Sequence, residues 1–454
     1  MSRNDLFDQP VTLTEAAAVE EWNAMIRAFL AHGAATPVHL GKLLERAPDH
    51  AATHGLKGLF YALLGRRELM AEAAGALEMA EARLEGANAR ERGFVVALRH
   101  VLAGETTRAI AALEAILATA PADTLAMKLG HALRFIIGDG TGMRASIEAV
   151  LPQYADDHAG RGYLLGCHAF ALEETGEYAR AALTGRAALT LAPDDAWGLH
   201  AVAHVHDMTA DARGGLDWLE GREAAWAHCN NFRFHVWWHK ALMMLDLGQH
   251  DAALALYDSD IRAEKTDDYR DISNATSLLS RLELEGVDVG DRWEELADLS
   301  ETRTEDGCLI FADLHYLLAL SHENRDDAIA RMMARLGADA ARAGNDVEKR
   351  MAVPGLNAAR GLEAFGDGDY GLAFAALSTA RPHMQGAGGS HAQRDVFERL
   401  TIDAGLRAGR FADVEAILAD RTARRGGHED GYAAARRQMI ARAGQTACAH
   451  GATG

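Results

Sequence analysis

Cysteine and proline are scarce in this sequence, and long apolar runs are missing. The four cysteines include no C-x-x-C pair, which argues against a disulfide framework or a thiolate zinc site and predicts a reducing, cytoplasmic location. No apolar run approaches the roughly eighteen residues of a transmembrane helix. The first residues lack the basic-then-apolar order of a secretory signal. We therefore expect neither a membrane span nor an oxidising compartment.

Basic residues are also in deficit. Acidic residues outnumber them by 66 to 46, which leaves a formal net charge of −20 at pH 7. This field would repel a nucleic acid or an anionic membrane surface, and no local basic patch opposes it. The sequence therefore predicts that neither nucleic acid nor a membrane is a partner. P-loop, nucleophile-elbow and dinucleotide-binding motifs do not occur either, which argues against the enzyme classes that depend on them.

Helical periodicity runs through nearly the whole chain. Apolar residues return every three or four positions, and only eight prolines interrupt 454 residues. Gly104, Gly176 and Gly248 follow one another at intervals of 72 residues, and Pro121 and Pro193 come seventeen residues after the first two. Half of that interval is close to the tetratricopeptide period of about 34 residues. Each glycine would end one helix, and each proline would stop the next.

These features predict an all-α protein, a right-handed solenoid of helix hairpins like those of tetratricopeptide repeats. The repeat domain is expected to cover residues 20–443, after an N-terminal segment of residues 1–19. Residues 444–454 show no periodicity and are expected to form a disordered tail. A solenoid of this length can close around a central pocket.

Two histidine pairs carry the strongest indication of chemistry. His200 and His204 lie one helical turn apart in AWGLHAVAHVHDM, and His235 and His239 have the same spacing in FRFHVWWHKAL. Each member of the second pair follows its counterpart by 35 residues, one repeat. Packed helices lie about 8–10 Å apart, so the four imidazoles can converge on one point. They are expected to bind a divalent metal such as Zn, Fe, Ni or Mn.

Two other interpretations explain the same histidines. A hydrogen-bonded network without a metal could bind a polar or anionic ligand. The imidazoles could also serve only to join degenerate repeats in the core. The H-E-x-x-H motif, which supplies a general base in many zinc hydrolases, is absent, so the pattern alone does not decide between these interpretations.

Further residues are candidates for ligand binding and proton transfer. Aromatic side chains among the histidines would form either the inter-repeat core or the apolar wall of a pocket. Ser390 and Gln393 have the spacing of a capping box, and the helix start that they predict could bind an anion. The substrate-binding candidates are Trp197, Trp238, Asp271, Arg394, His391, His168 and His131. The candidates for acid–base or orienting roles are Asp207, His206, Asp313 and His315.

Several of these segments resemble the tetratricopeptide repeat protein 38 family. The resemblance is carried by DAWGLHAVAHVHDM, FRFHVWWHKALMMLDLGQHDAALALYD and GGSHAQRDVF, and it runs from about residue 20 to residue 440. In that family the matching segments keep the histidines and Trp238, and they usually have glutamate where Asp207 stands and aspartate where Asn274 stands. The resemblance implies a helical repeat fold and a soluble protein, and it implies no particular activity.

Two functions from different classes follow. The first is a small-molecule enzyme or binder whose pocket lies on the inner surface of the solenoid. As an enzyme, it would be a metal-dependent hydrolase that cleaves an amide or ester. The second is a protein-interaction scaffold that holds a peptide in the concave groove. A closed pocket of small-ligand size would favour the first, and an open channel would favour the second.

Overall fold

Helices occupy nearly the whole chain, which confirms the all-α prediction. The computed structural model describes the backbone of residues 3–451. It describes the side chains of residues 3–443 and of Gln445. Strands β1 (Arg3–Asn4) and β2 (Pro10–Val11) pair antiparallel. The first helices are α1 (Ala16–Leu30), α2 (Thr36–Arg46), α3 (Ala51–Ala62), α4 (Arg67–Glu81), α5 (Ala89–Leu102), α6 (Thr106–Thr119), α7 (Thr124–Ile136), α8 (Gly140–Val150), α9 (Arg161–Glu174) and α10 (Tyr178–Leu191).

The remaining helices continue the array to the C-terminal end. They are α11 (Ala196–Met208), α12 (Ala212–Leu219), α13 (Phe232–Asp246), α14 (His250–Leu256), α15 (Tyr269–Leu284), α16 (Arg292–Glu301), α17 (Ile310–His322), α18 (Asp326–Arg342), α19 (Asp346–Arg350), α20 (Leu356–Gly366), α21 (Tyr370–Ala380), α22 (His391–Arg407), α23 (Phe411–Arg424) and α24 (Gly431–Gly451). Short 3₁₀ segments lie at Leu151–Gln153, Glu223–Ala225 and Arg381–Ala387, and π-helical segments at Tyr257–Ile261 and Met351–Gly355.

The predicted turns lie where the repeat spacing places them. Gly176 separates α9 from α10 with a φ of +82°, and its counterparts Gly104 and Gly248 have φ of +70° and +71°. A residue with a Cβ rarely adopts this left-handed conformation, so glycine suits all three turns. Pro121 and Pro193 follow the last residues of α6 and α10, as predicted.

The helices form a solenoid with an inner and an outer layer. The inner helices contact one another in order, as α7, α9, α11, α13, α15, α17, α20 and α22. Helices α9, α11, α13, α15 and α17 are buried on nearly all sides, whereas the outer helix α10 buries few residues. The histidine pairs belong to two inner helices, α11 and α13. Within residues 3–451, no helix combines the length and apolar character that crossing a membrane requires.

The solenoid closes on itself through contacts between distant repeats. Arg303, which follows α16, forms an ion pair with Glu68 of α4, with 2.7 Å between Nη1 and Oε1. The amide of Asp346 in α19 donates a hydrogen bond of 3.0 Å to the carbonyl of Gly104. The backbone amide of His391 donates to Glu174 at 2.7 Å. These contacts join distant parts of the chain, as the closed form of the predicted solenoid would.

The ends of the chain differ in detail from the predicted boundaries. Helix α1 begins at Ala16, so the expected boundary at residue 20 falls inside it. Helix α24 continues past residue 443 to Gly451, through part of the segment expected to be disordered, and residues 452–454 lie outside the described residues. The cysteines at positions 167, 229 and 308 are free thiols.

Candidate metal centre

Close packing of α9, α11 and α13 positions the histidines. The Asp195 carboxylate caps the start of α11 by accepting a hydrogen bond of 3.1 Å from the Gly198 amide. Gly166 of α9 leaves room for this turn, because a Cβ there would lie 1.8 Å from Asp195 Oδ2 and 3.2 Å from the Cα of Gly198. Helix α13 packs on the opposite flank of α11. The two H-x-x-x-H faces therefore meet inside the solenoid.

The four imidazoles converge through their Nε2 atoms. Nε2 of His200 lies 2.8 Å from that of His204 and 3.1 Å from that of His235. Nε2 of His239 lies 3.2 Å from that of His235. One ligand atom from each of the four rings lies within 4.8 Å of all the others, and all four residues are buried. The convergence expected from the repeat offset is therefore present.

Hydrogen bonds alone satisfy these contacts only in part. Nδ1 of His235 lies 2.8 Å from Oδ1 of Asn274, so Nδ1 carries the hydrogen and Nε2 presents a lone pair. If His200 donates its Nε2 hydrogen to His235, that hydrogen is not directed at His204. If His204 donates to His200 instead, the lone pairs of His200 and His235 face each other. A cation between the rings would accept all four lone pairs at once.

Burial keeps the imidazoles neutral. Desolvation, followed by repulsion from the neighbouring rings, lowers the pKa of His200 well below its usual range, and burial does the same to the pKa of His204 and of His239. Burial also lowers the pKa of His235 to about 4, although the hydrogen bond to Asn274 opposes the shift. Neutral imidazole is the form that ligates metals, so no proton has to leave the ring for a lone pair to exist at pH 7.

A buried carboxylate adjoins the cluster. Oε2 of Glu173 lies 3.5 Å from Nδ1 of His204, and neither carboxylate oxygen of Glu173 has a hydrogen-bond partner among the described residues. Burial, with repulsion from Glu174 and Asp207, raises the pKa of Glu173 well above its usual range. Metal-bound histidines commonly donate their second ring N–H to a carboxylate or carbonyl. Glu173 and Asn274 occupy these places behind His204 and His235.

The cluster opens on one side into a cavity of about 580 Å³, to which His200 and His235 contribute. Trp197 and His131, both predicted to bind substrate, also line this cavity. Trp238 lies behind the cluster, where its ring stacks on His235 with centroids 5.2 Å apart. The cavity therefore brings a mostly aromatic surface next to the converging nitrogens.

Several predicted substrate-binding residues have partners elsewhere. Nε2 of His168 lies 3.3 Å from Glu148 of the outer helix α8. Asp271 accepts hydrogen bonds from Asn231, at 2.6 Å, and from the Thr266 hydroxyl. Neither His168 nor Asp271 lines the cavity. Their contacts join neighbouring segments of the chain instead.

The predicted anion site at the start of α22 is filled by the protein itself. The capping box between Ser390 and Gln393 forms as expected. The anion there is Glu174, which accepts a hydrogen bond of 2.7 Å from the backbone amide of His391 and lies 3.2 Å from Arg394 Nη2. Arg394 also donates to the Gly389 carbonyl. These contacts fix α22 against α9. Neither His391 nor Arg394 lines the large cavity.

The four residues expected to act as acids or bases do not gather at the cluster. His206 contacts Asp211 at 2.9 Å on the outer side of α11, and Asp207 contacts Arg425 at 3.2 Å. Both follow His204 on α11 but leave the helix in other directions. Asp313 and His315 lie on α17, which packs against α15, α16, α18 and α20 rather than against α11.

On α17 the two side chains have separate structural partners. Asp313 forms a two-pronged ion pair with Arg335, at 2.7 and 3.1 Å. Nδ1 of His315 donates to the Phe311 carbonyl at 2.7 Å, and its ring packs against Phe397. The carboxylate beside the histidine cluster is Glu173, which the sequence analysis did not single out.

Comparison with known proteins adds little to this description. The chain matches no family model. Among solved structures it is similar to a chain in "Structure of Naa15/Naa10 bound to HypK-THB", with 13% identity, a TM-score of 0.24, and coverage of 89% of this chain and 68% of that chain. This similarity is too low to support any conclusion about function. The assignment of the helical solenoid comes from its own helices and their packing.

Proposed function

We propose that this protein binds one divalent first-row transition metal through His200, His204, His235 and His239 and uses it on a small molecule held in the adjoining cavity. The observation that carries the proposal is the convergence of four buried Nε2 atoms, whose mutual contacts hydrogen bonds satisfy only in part. Unpaired buried imidazoles are costly, and a metal removes that cost.

The dimensions of the cluster suit such an ion. Zinc–nitrogen bonds measure about 2.0–2.1 Å, which places the nitrogens of a tetrahedral site roughly 3.3 Å apart. Three of the six separations, at 2.8, 3.1 and 3.2 Å, need only a small outward movement of the rings to reach that value, and no ligand-atom separation exceeds 4.8 Å. Imidazole ligands suit Zn, Fe and Ni, and Mn is a further candidate. The outer partners Glu173 and Asn274 would orient two of the four rings.

The proposed reaction is hydrolysis of an amide or ester. A metal at this position would supply Lewis-acid activation of a carbonyl or of water, which is the simplest chemistry such a site supports. Four histidines fill a tetrahedral site, so a substrate carbonyl or water would bind as a fifth ligand from the cavity side, where His200 and His235 lie. Glu173 is buried behind His204, where as an anion it would offset the charge of the metal.

A protein-interaction scaffold is the second candidate. The helical-repeat fold supports it, because such arrays commonly bind extended peptides. The closing contact between Arg303 and Glu68 counts against it, because it joins distant repeats around the interior. A scaffold would capture a protein partner equally well after metal removal. The metalloprotein proposal requires ligand binding or turnover to depend on the metal.

We also propose that the chain belongs to the tetratricopeptide repeat protein 38 family and resides in the cytoplasm. The histidine- and tryptophan-containing segments around α11 and α13 support the first statement. The free thiols of Cys167, Cys229 and Cys308 support the second, because a reducing compartment keeps thiols unpaired.

Metal analysis of protein purified without chelators tests the central proposal. We expect about one equivalent of a transition metal per chain, and removal of that metal by a strong chelator should be reversible. Cobalt(II) added to the metal-free protein should give the absorption bands of nitrogen coordination, saturating at one equivalent. Protein that arrives without metal and binds neither zinc nor cobalt(II) would contradict the proposal.

A further inference from the structure

A buried lysine faces the cavity without a carboxylate to neutralise it. Lys128 of α7 is only 3% exposed and lines the cavity beside the histidine cluster. No ion pair joins it to an acidic side chain in the part of the chain that the structure describes. Its ammonium group has the Cys167 sulfur at 3.7 Å and the face of Trp197 at 5.0 Å from the ring centroid. Burial raises the pKa of the Cys167 thiol to about 11, so this sulfur is no counter-ion at pH 7.

The other charged residues at the cavity already have partners. Arg270 binds Asp268 through two contacts of 2.9 and 2.5 Å. Arg233 contacts Glu264 at 2.7 Å. Asp195 acts on Lys128 only from beyond ion-pair distance, and burial raises the pKa of this carboxyl to about 7. Lys128 is therefore the cavity cation without a carboxylate at ion-pair distance, and a buried ammonium group in that position is costly.

Neighbouring side chains also lack acceptors for their N–H groups. Nε1 of Trp197, both ring nitrogens of His131 and Nε2 of His32 have no partner among the described residues. All three residues line the cavity, and His131 is 4% exposed. Burial lowers the pKa of His131 and of His32 well below the usual range, so each ring is neutral and keeps one N–H donor. What this part of the cavity lacks is a hydrogen-bond acceptor with negative charge.

Much of the remaining cavity wall is aromatic. Its volume of about 580 Å³ lies within the range of about 300–1,000 Å³ typical of small-molecule sites. Aromatic walls with a few fixed polar groups favour a ring-containing or branched apolar ligand. The aromatic residues are Phe29, Phe60, Tyr61, Phe135, Trp197, Phe232, Tyr269 and Phe311.

We infer that the ligand of this cavity is a small aromatic molecule that carries one carboxylate, with Lys128 as its counter-ion. One tryptophan separates the two ends of the site: Trp197 lies under the Lys128 ammonium group, and its ring is 5.1 Å from that of His200. A ligand lying along Trp197 would place its carboxylate at Lys128 and its other end at the four histidines. The inference rests on the proposed function only for the chemistry at the histidine end of the ligand.

Binding of matched ligand pairs tests the inference. Benzoate, 3-phenylpropionate and indole-3-acetate, each with its neutral carboxamide, would be titrated by calorimetry into metal-loaded and metal-free protein. We expect at least one carboxylate to bind both forms, and its carboxamide to bind about 10- to 100-fold more weakly. Lys128→Met should weaken the carboxylate by a similar factor and leave the metal content unchanged. Lys128→Arg, which keeps the charge, should retain most of the affinity and serves if the methionine variant does not fold.

Lys240→Met is the matched control. Lys240 is also nearly buried and lies 5.2 Å from the centroid of Trp237, but it has a carboxylate partner in Glu220 at 2.9 Å. Its loss should not change carboxylate binding. The inference is overturned if no carboxylate binds with a Kd below about 5 mM, if the carboxamides bind equally well, or if Lys128→Met has no effect. Lys128-dependent binding by a protein that takes up neither zinc nor cobalt(II) would refute the proposed function and leave this inference standing.

Discussion

Replacing His204 or His239 by alanine is expected to lower the affinity for the metal by more than about 100-fold. Removal of an outer partner of a metal ligand alone costs about 10- to 100-fold, and these substitutions remove a ligand itself. Both rings are fully buried, and their Nε2 atoms lie 2.8 and 3.2 Å from those of His200 and His235. Competition with a coloured chelator would measure the affinity, and cobalt(II) spectra would report the loss of a nitrogen ligand.

Two other histidines provide controls for this experiment. His206 lies on the same helix as His204 but contacts Asp211, so His206→Ala should bind metal like the parent protein. His315 is equally buried but donates to the Phe311 carbonyl, so His315→Ala tests whether loss of any core imidazole disturbs the site. If His204→Ala and His239→Ala keep the parent affinity while folded by circular dichroism, the cluster is a packing device and not a metal centre.

The sequence predicts this cluster because two periodicities coincide there. The helical period places His200 and His204 on one face, and the repeat period places His235 and His239 on the equivalent face of the next inner helix. The turn glycines are predictable for the same reason, since Gly176 and its counterparts recur at fixed intervals. Local spacing thus determines which side chains of neighbouring repeats can meet.

Other parts of the site depend on features that spacing does not encode. Glu173 stands in a Glu-Glu pair near the end of α9, and Lys128 lies one turn before His131 in α7; residues of both types are normally solvated. They are buried because the solenoid closes over them, through contacts such as Arg303 with Glu68 between residues 235 positions apart. The same closure explains why Arg394, which could bind a ligand anion in an open groove, is occupied by Glu174.

Replacing Glu173 by glutamine is expected to weaken metal binding by about 10- to 100-fold without disturbing the fold. In the metal-free protein burial raises the pKa of Glu173 well above the usual range, which favours its protonated form. When a metal takes the lone pair at Nε2 of His204, Nδ1 of that ring becomes a donor, and Glu173 at 3.5 Å can accept it as an anion. Glutamine accepts the same hydrogen bond but supplies no negative charge to offset that of the metal.

Proton release separates this role from a purely structural one. Calorimetry in buffers of different ionisation enthalpy should show about one proton fewer released per metal bound by Glu173→Gln than by the parent protein. Glu148→Gln is the control, because Glu148 forms a carboxylate–histidine contact of 3.3 Å with His168 away from the cluster. Unchanged affinity and proton release in Glu173→Gln would remove Glu173 from the metal site.

The stability of the metal-free protein provides an independent check on the charge state of Glu173. Its pKa is higher in the folded protein than the value of about 4.3 in an unfolded chain, so folding takes up a proton above that pH. This carboxyl therefore destabilises the folded state increasingly as the pH rises through that range, and glutamine cannot titrate. Urea unfolding should show Glu173→Gln gaining on the parent protein from about pH 4 towards pH 8. A metal that draws the proton from Glu173 would reverse that order, because the parent protein then gains the ion pair that glutamine cannot form.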